Sequence, residues 1–147
     1  MKWTAARAAL ASLISVAPLL AGCGASDDRA AQWSYISSAI IEPSCATANC
    51  HSKLAQRSGV VLDGIRVGYA QLVCRHFVLP GNPGSSGVVA LMNAQGTRRM
   101  PPDFALPASD IKLISDWIMA GAPYDGPSPA VDPTSTTSCD SALGVTR

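Results

Sequence analysis

Between Gly59 and Pro102 turn-forming residues fall so densely that no long element has room to form. Gly59, Gly64, Gly68, Pro80-Gly81-Asn82-Pro83-Gly84, Gly87, Gly96 and Pro101-Pro102 all lie in this stretch. Glycine opens backbone conformations closed to other residues and proline fixes its own φ, so the pattern predicts loops with space for two short helices, 67–74 and 85–93. A long irregular segment inside a small domain is uncommon unless it wraps something. With a folded part near 100 residues, the core is marginal by itself, and a buried cofactor or a disulfide is expected to supplement it.

Longer helical patterns stand on either side of this middle. Trp33, Ile36 and Ile40 recur at helical spacing with Ile41 beside them, and Pro43 is expected to end that helix. Toward the C-terminus Ile111, Ile114, Trp117 and Ile118 make one apolar face while Lys112, Ser115 and Asp116 point away, with Gly121 and Pro123 as the stop. An apolar face needs a partner, and the first helix is the obvious one. The fold class is therefore all-α, with N- and C-terminal helices packed together and long loops between them.

Where the first helix ends, the chain reads Cys45-Ala46-Thr47-Ala48-Asn49-Cys50-His51. Two thiols followed at once by an imidazole are the groups that fasten haem covalently: each sulfur adds to a vinyl, and the histidine supplies the proximal nitrogen. The usual spacing has two residues between the cysteines and this one has four, so two residues would have to bulge out. A local Cys45–Cys50 disulfide and a zinc half-site are the competing readings. Zinc would draw on Cys45, Cys50, His51 and His76, but adjacent Cys50 and His51 are awkward as two ligands of one tetrahedral ion.

A haem would need a second axial ligand, and Arg99-Met100-Pro101-Pro102 offers one. An arbitrary methionine is a core filler. Met100 lies instead in a proline-braced loop, where a rigid backbone can present a thioether. His76 competes for the same role, although it sits in the apolar run 72–79, where a partly buried histidine is the plainer reading. Met92 and Met119 fall on helical segments and read as core.

The N-terminus has the form of an export signal. Met1-Lys2 and Arg7 are followed by an apolar stretch from Ala8 to Leu20, too short to span a bilayer, and then by Leu20-Ala21-Gly22-Cys23. This closely resembles a bacterial lipobox, which implies cleavage after residue 22 and a lipid on Cys23. The alternative is an ordinary cleaved signal with Cys23 as a spare thiol. Gly24 and the resemblance to Gram-negative lipoproteins imply a cell-envelope protein held at the outer membrane and facing the periplasm. Loss of Lys2 and Arg7 takes the formal charge from +1 to −1. No basic stripe survives, so nucleic acid is not an expected partner.

Taken in order, Ile41-Glu42-Pro43-x-Cys45-x4-Cys50-His51, Pro80-Gly81-Asn82-Pro83 with Ser85-Ser86, Met100-Pro101-Pro102, and Ile111-x2-Ile114-x2-Trp117-Ile118-x2-Gly121-Ala122 carry a family resemblance. Over about residues 32–125 the chain resembles the small c-type cytochrome domains of planctomycete type and their relatives in bacterial lipoproteins. The resemblance implies a cytochrome c-like fold, one covalent haem c on Cys45 and Cys50, and iron ligated by His51 and Met100. The four-residue cysteine spacing is the departure from the family pattern.

On that reading Cys74 and Cys139 remain as an even pair in a compartment that favours disulfides. They are a candidate bridge; two unpaired thiols are the alternative. The expected organisation is a lipoprotein signal peptide at 1–22, a tether at 23–31, a cytochrome c-like domain at 32–126 and a Pro/Ser/Thr-rich, loosely attached tail at 127–147. No carboxylate pair, activated nucleophile or phosphate-cradling loop stands out, so no enzyme activity is expected. The expected function is single-electron transfer with redox partner proteins, anchored to the membrane by the N-terminal lipid. The alternative is a haem-free, disulfide-stabilised envelope lipoprotein acting as a binding or structural module.

Overall fold

A computed structural model describes residues 27–145; Cys23 and the signal segment lie outside them. Among the described residues the chain is helical, with five longer helices, three single turns of 3-10 helix in the loops between them, and no β-strand. The first helix, α1, runs without a break through Trp33–Ile36, a π-helical segment Ser37–Ile41, and Glu42–Cys45. The others are α2 (Ile65–Val73), α3 (Gly87–Asn93), α4 (Ala108–Met119) and α5 (Thr136–Leu143). None of the described helices is long and apolar enough to cross a membrane.

Pro43 does not end α1, as the sequence suggests it should. Proline lacks the N–H of the ladder and its ring collides with the carbonyl four residues back. Here the preceding turn is widened to the π form, which relieves that conflict and lets the helix continue to Cys45.

The core is built where α1, α2 and α4 meet. Trp33 and Trp117 stack at 5.1 Å between ring centroids, and Tyr69 of α2 meets both edge-on. All three rings are buried, so their polar atoms need partners. Trp33 Nε1 donates to the Ile65 carbonyl at 2.7 Å, Trp117 Nε1 to that of Pro123 at 3.0 Å, and Tyr69 Oη to that of Ala122 at 2.8 Å. The first and last contacts of this set tie α1 to the start of α2, and α2 to the chain leaving α4. Gly68 permits the α1–α2 approach: a Cβ there would stand 3.4 Å from both the Trp33 ring and the Leu62 carbonyl oxygen. On α4, Leu113 joins Ile114, Trp117 and Ile118 in the core, whereas Met119, expected inside, is 62% exposed. Gly121, at φ 96°, turns the chain away as its N–H closes on the Ile118 carbonyl.

The Pro80–Ser86 loop is tied down by its own polar groups. Gly81 donates to the Ile118 carbonyl at 2.7 Å, which fixes the turn to the end of α4. Ser86 is fully buried; its hydroxyl accepts from Leu79 N–H and donates to the Asn82 carbonyl. Asn82 Oδ1 accepts from Ser85 N–H. These residues therefore hold a loop in place, which gives a structural reason for that part of the sequence pattern.

The C-terminal segment departs from the loose tail expected of it. Ser135 caps α5 by accepting from Ser138 N–H, and Gly144 ends it in the left-handed region. Cys74 and Cys139 are joined by a disulfide. Val131 and Ala142 are buried, and Arg66 of α2 donates to the carbonyls of Pro129 and Ser141 and to the Ser141 hydroxyl. Composition read as disorder because the segment has few apolar residues; a covalent link and a handful of backbone acceptors dock it regardless.

Candidate functional site

At the end of α1 the chain must turn from Cys45 to His51, and a set of backbone bonds closes that turn. His51 N–H donates to the Cys45 carbonyl at 3.0 Å, Cys50 N–H to that of Thr47 at 2.9 Å, and Arg57 N–H to that of Cys50 at 3.0 Å. Thr47, Ala48 and Asn49 are exposed. The extra spacer length is thus spent in solvent, while the ends of the motif are drawn together. The His51 carbonyl accepts from Leu62 N–H at 2.7 Å, which binds the motif to the strand of chain entering α2.

Two adjoining clefts open on this turn and share Cys45, His51 and Met100 in their walls. One, of about 550 Å³, is apolar: Ile41, Val60, Leu62, Leu72, Phe77 and Met92 are among its lining. The other, of about 580 Å³, adds Cys50, Arg57, Ser58, Pro101 and Pro102. Cys45 and Cys50 are not bonded to one another. Burial, with a smaller contribution from neighbouring Cys50, pushes the Cys45 thiol up to about 11.

Met100 is presented by a braced loop. Its N–H donates to the Leu91 carbonyl at the end of α3 at 3.0 Å. Arg99 folds over the prolines, with Nε donating to the Pro101 carbonyl and Nη2 to that of Pro102. Pro101 is buried while Met100 remains 38% exposed at the cleft. Met92 is buried and lines the same cleft, so its assignment to the core and its place in the wall agree.

His76 is elsewhere. It occupies a left-handed turn at φ 61° after α2 and is exposed, not partly buried, and it lines neither cleft. Its neighbour Phe77 takes the place in the wall. Among the described residues no three His, Cys, Asp or Glu side chains converge as a metal ion alone would require. The four-ligand zinc arrangement with His76 has no geometric support.

His51 Nδ1 is buried and has no hydrogen-bond partner in the protein. Leaving such a group unsatisfied costs about 1–3 kcal/mol. The atom belongs to a side chain that lines both clefts, together with Cys45 and Met100.

Sequence spacing located Cys45, Cys50, His51 and Met100, and the fold brings all four to the same pair of clefts. It missed the wall: Val60, Leu62, Phe77, Val88 and Leu91 come from three separate segments with no motif to connect them. It also missed Arg75, whose Nη1 donates to the Gly59 carbonyl and to Gln71 Oε1, both at 2.6 Å, while its guanidinium lies 5.6 Å from the centre of the Phe77 ring. One arginine thereby joins the Gly59 turn and the Phe77 wall to α2. Compared with models of protein families, with curated proteins and with solved structures, the chain matches none.

Proposed function

We propose that this chain is a membrane-tethered monohaem c-type cytochrome that passes single electrons in the bacterial cell envelope and performs no catalysis of its own. The observation that carries the reading is the meeting of two free thiols, an imidazole with an unpartnered buried nitrogen, and a thioether around two adjoining, largely apolar clefts. Cys45 and Cys50 would hold haem through thioether bonds, and His51 and Met100 would hold its iron. When bound, haem iron supplies a one-electron couple whose potential depends on axial ligands and burial.

The chain's own contribution is to hold and to exclude. The His51-to-Cys45 backbone bond fixes histidine and first cysteine relative to each other, and the apolar wall would give a bound haem a face shielded from water. Arg99 and the two prolines keep Met100 from drifting. With His51 and Met100 both holding the iron, no position on it would be left for a substrate, which is what a carrier of electrons needs.

Expression with a haem-attachment system, followed by intact-mass analysis, tests the reading. One added haem that survives acid-acetone extraction is the expected result. A colourless protein with Cys45 and Cys50 oxidised to a disulfide would overturn it in favour of a haem-free envelope module. Anchoring is tested separately: Cys23→Ala should block lipoprotein processing and release the protein from the membrane fraction, and an unchanged fractionation pattern would remove the lipid anchor from the proposal.

A further inference from the structure

His51 is held by its backbone and not by its ring. A histidine that binds metal is ordinarily oriented by a hydrogen bond from its other ring nitrogen to a carboxylate, a carbonyl or water. Here Nδ1 is buried with no partner in the protein, so the orientation of the ring must come through the main chain. Both polar groups of the His51 backbone are used: its N–H donates to the Cys45 carbonyl at 3.0 Å, and its carbonyl accepts from Leu62 N–H at 2.7 Å.

Two side chains complete this hold. Asp63, next to Leu62, accepts from Lys53 N–H through Oδ2 at 2.5 Å, so residues 62 and 63 grip the chain on both sides of Ser52. Ser52 is buried. Its hydroxyl donates to the Ala48 carbonyl at 3.3 Å and accepts from Ala55 N–H at 3.1 Å, and its own carbonyl accepts from Gln56 N–H at 2.9 Å. The bond to Ala48 reaches into the four-residue spacer, and the other two reach into the turn that follows the histidine.

We infer that Asp63 and Ser52 are positioning residues for His51, forming a clasp that stands in for the missing ring hydrogen bond and lets the wide Cys45–Cys50 spacing present an oriented imidazole to the clefts. The inference rests on the electron-transfer reading for what the imidazole holds, and on the bonds above for how it is held.

The test compares Asp63→Ala, Ser52→Ala and Asp63→Asn with the parent as full haem-loaded chains. Because the iron orbitals follow the plane of the imidazole, the ferric electron paramagnetic resonance signal should shift and broaden in both alanine variants. It should keep its position in Asp63→Asn, whose amide oxygen still accepts from Lys53. Exchange of the Lys53 amide hydrogen should rise about tenfold in Asp63→Ala and less than about threefold in Asp63→Asn. Val131→Ala, a substitution in the core at the C-terminal segment, should loosen the fold and leave the signal where it was. An unchanged signal in the alanine variants would overturn the assignment, and if Asp63→Ala does not fold, Ser52→Ala decides by itself. So would a shift of equal size in Val131→Ala, since the cause would then be general stability. The His51 ring nitrogens, followed by nitrogen-15 NMR in the haem-free chain, keep the two readings apart: they should give one set of resonances in the parent and several in Asp63→Ala. Haem present with unchanged signals removes the clasp alone; no haem, with ring resonances that multiply in Asp63→Ala, removes the electron-transfer reading alone.

Discussion

Replacing both cysteines of the bridge, Cys74→Ala with Cys139→Ala, should lower the unfolding free energy by about 4 kcal/mol. The bridge joins residues 65 apart in sequence, and closing a loop of that size removes about 14 cal/mol/K of entropy from the unfolded chain, or about 4 kcal/mol at room temperature. For a folded region of about 120 residues the unfolding entropy near the midpoint is roughly 0.25 kcal/mol/K, so the melting temperature should fall by about 15 °C. Urea unfolding followed by tryptophan fluorescence measures the change, because Trp33 and Trp117 are both fully buried and report on the core. The slope with urea should stay the same or rise slightly, since the unlinked chain exposes more surface when unfolded. A loss under about 1 kcal/mol would refute the reasoning. So would two separate transitions with α5 released first, which would mean that the segment is docked without being part of the cooperative core.

Two further predictions concern the site. On the proposed haem reading, Met100→Ala should abolish a weak far-red sulfur-to-iron charge-transfer band in the ferric haem-loaded chain and open the iron to carbon monoxide, whereas His76→Ala should change neither; the opposite pattern would show bis-histidine ligation. In the haem-free protein Cys45 should react with iodoacetamide about a hundredfold more slowly at pH 8 than an ordinary thiol, because only the thiolate attacks and burial raises the group from 9.0 to about 11. A thiol raised in the folded state favours folding while it is neutral, so its contribution should be complete below about pH 9 and disappear as pH climbs toward 11. Stability of the haem-free protein measured in urea across that window checks the sign, and a rise instead of a fall would contradict it.

Sequence carried the ends of the fold better than its middle or its tail. The faces of α1 and α4 were legible because their apolar residues repeat at helical spacing over several turns and bury against each other, with Trp33 on Trp117 as the contact. The two middle helices were found near their places, with α2 at Ile65–Val73 where 67–74 was expected and α3 at Gly87–Asn93 where 85–93 was expected. Pro43 misled because its cost was judged for a regular α-turn, and a π-turn avoids that cost. Met119 misled because one apolar residue beside a buried stripe need not be inside. The residues 127–145 looked loose because docking there rests on a bridge, on Arg66 and on two small buried contacts, none of which has a periodic signal. At the site the reactive groups were legible by type and spacing, while the wall was not, since cleft lining depends on which loops the fold lays side by side.

The widened turn in α1 also sets an angle. At about 100° per residue a regular α-helix would place Cys45 roughly 120° around the axis from Trp33, which is well off the buried stripe. The same helix shortened by one residue would place it at about 20°, nearly in line. Segment Ser37–Ile41 therefore behaves as a one-residue insertion absorbed into the helix, keeping the tryptophan at one end and the thiol at the other on a common side. Helix α1 should then tolerate a change of length in one direction only. Deleting exposed Ala39 removes the excess and leaves Trp33 and Cys45 aligned, whereas adding a residue beside it demands a second widening that nothing in the helix supplies.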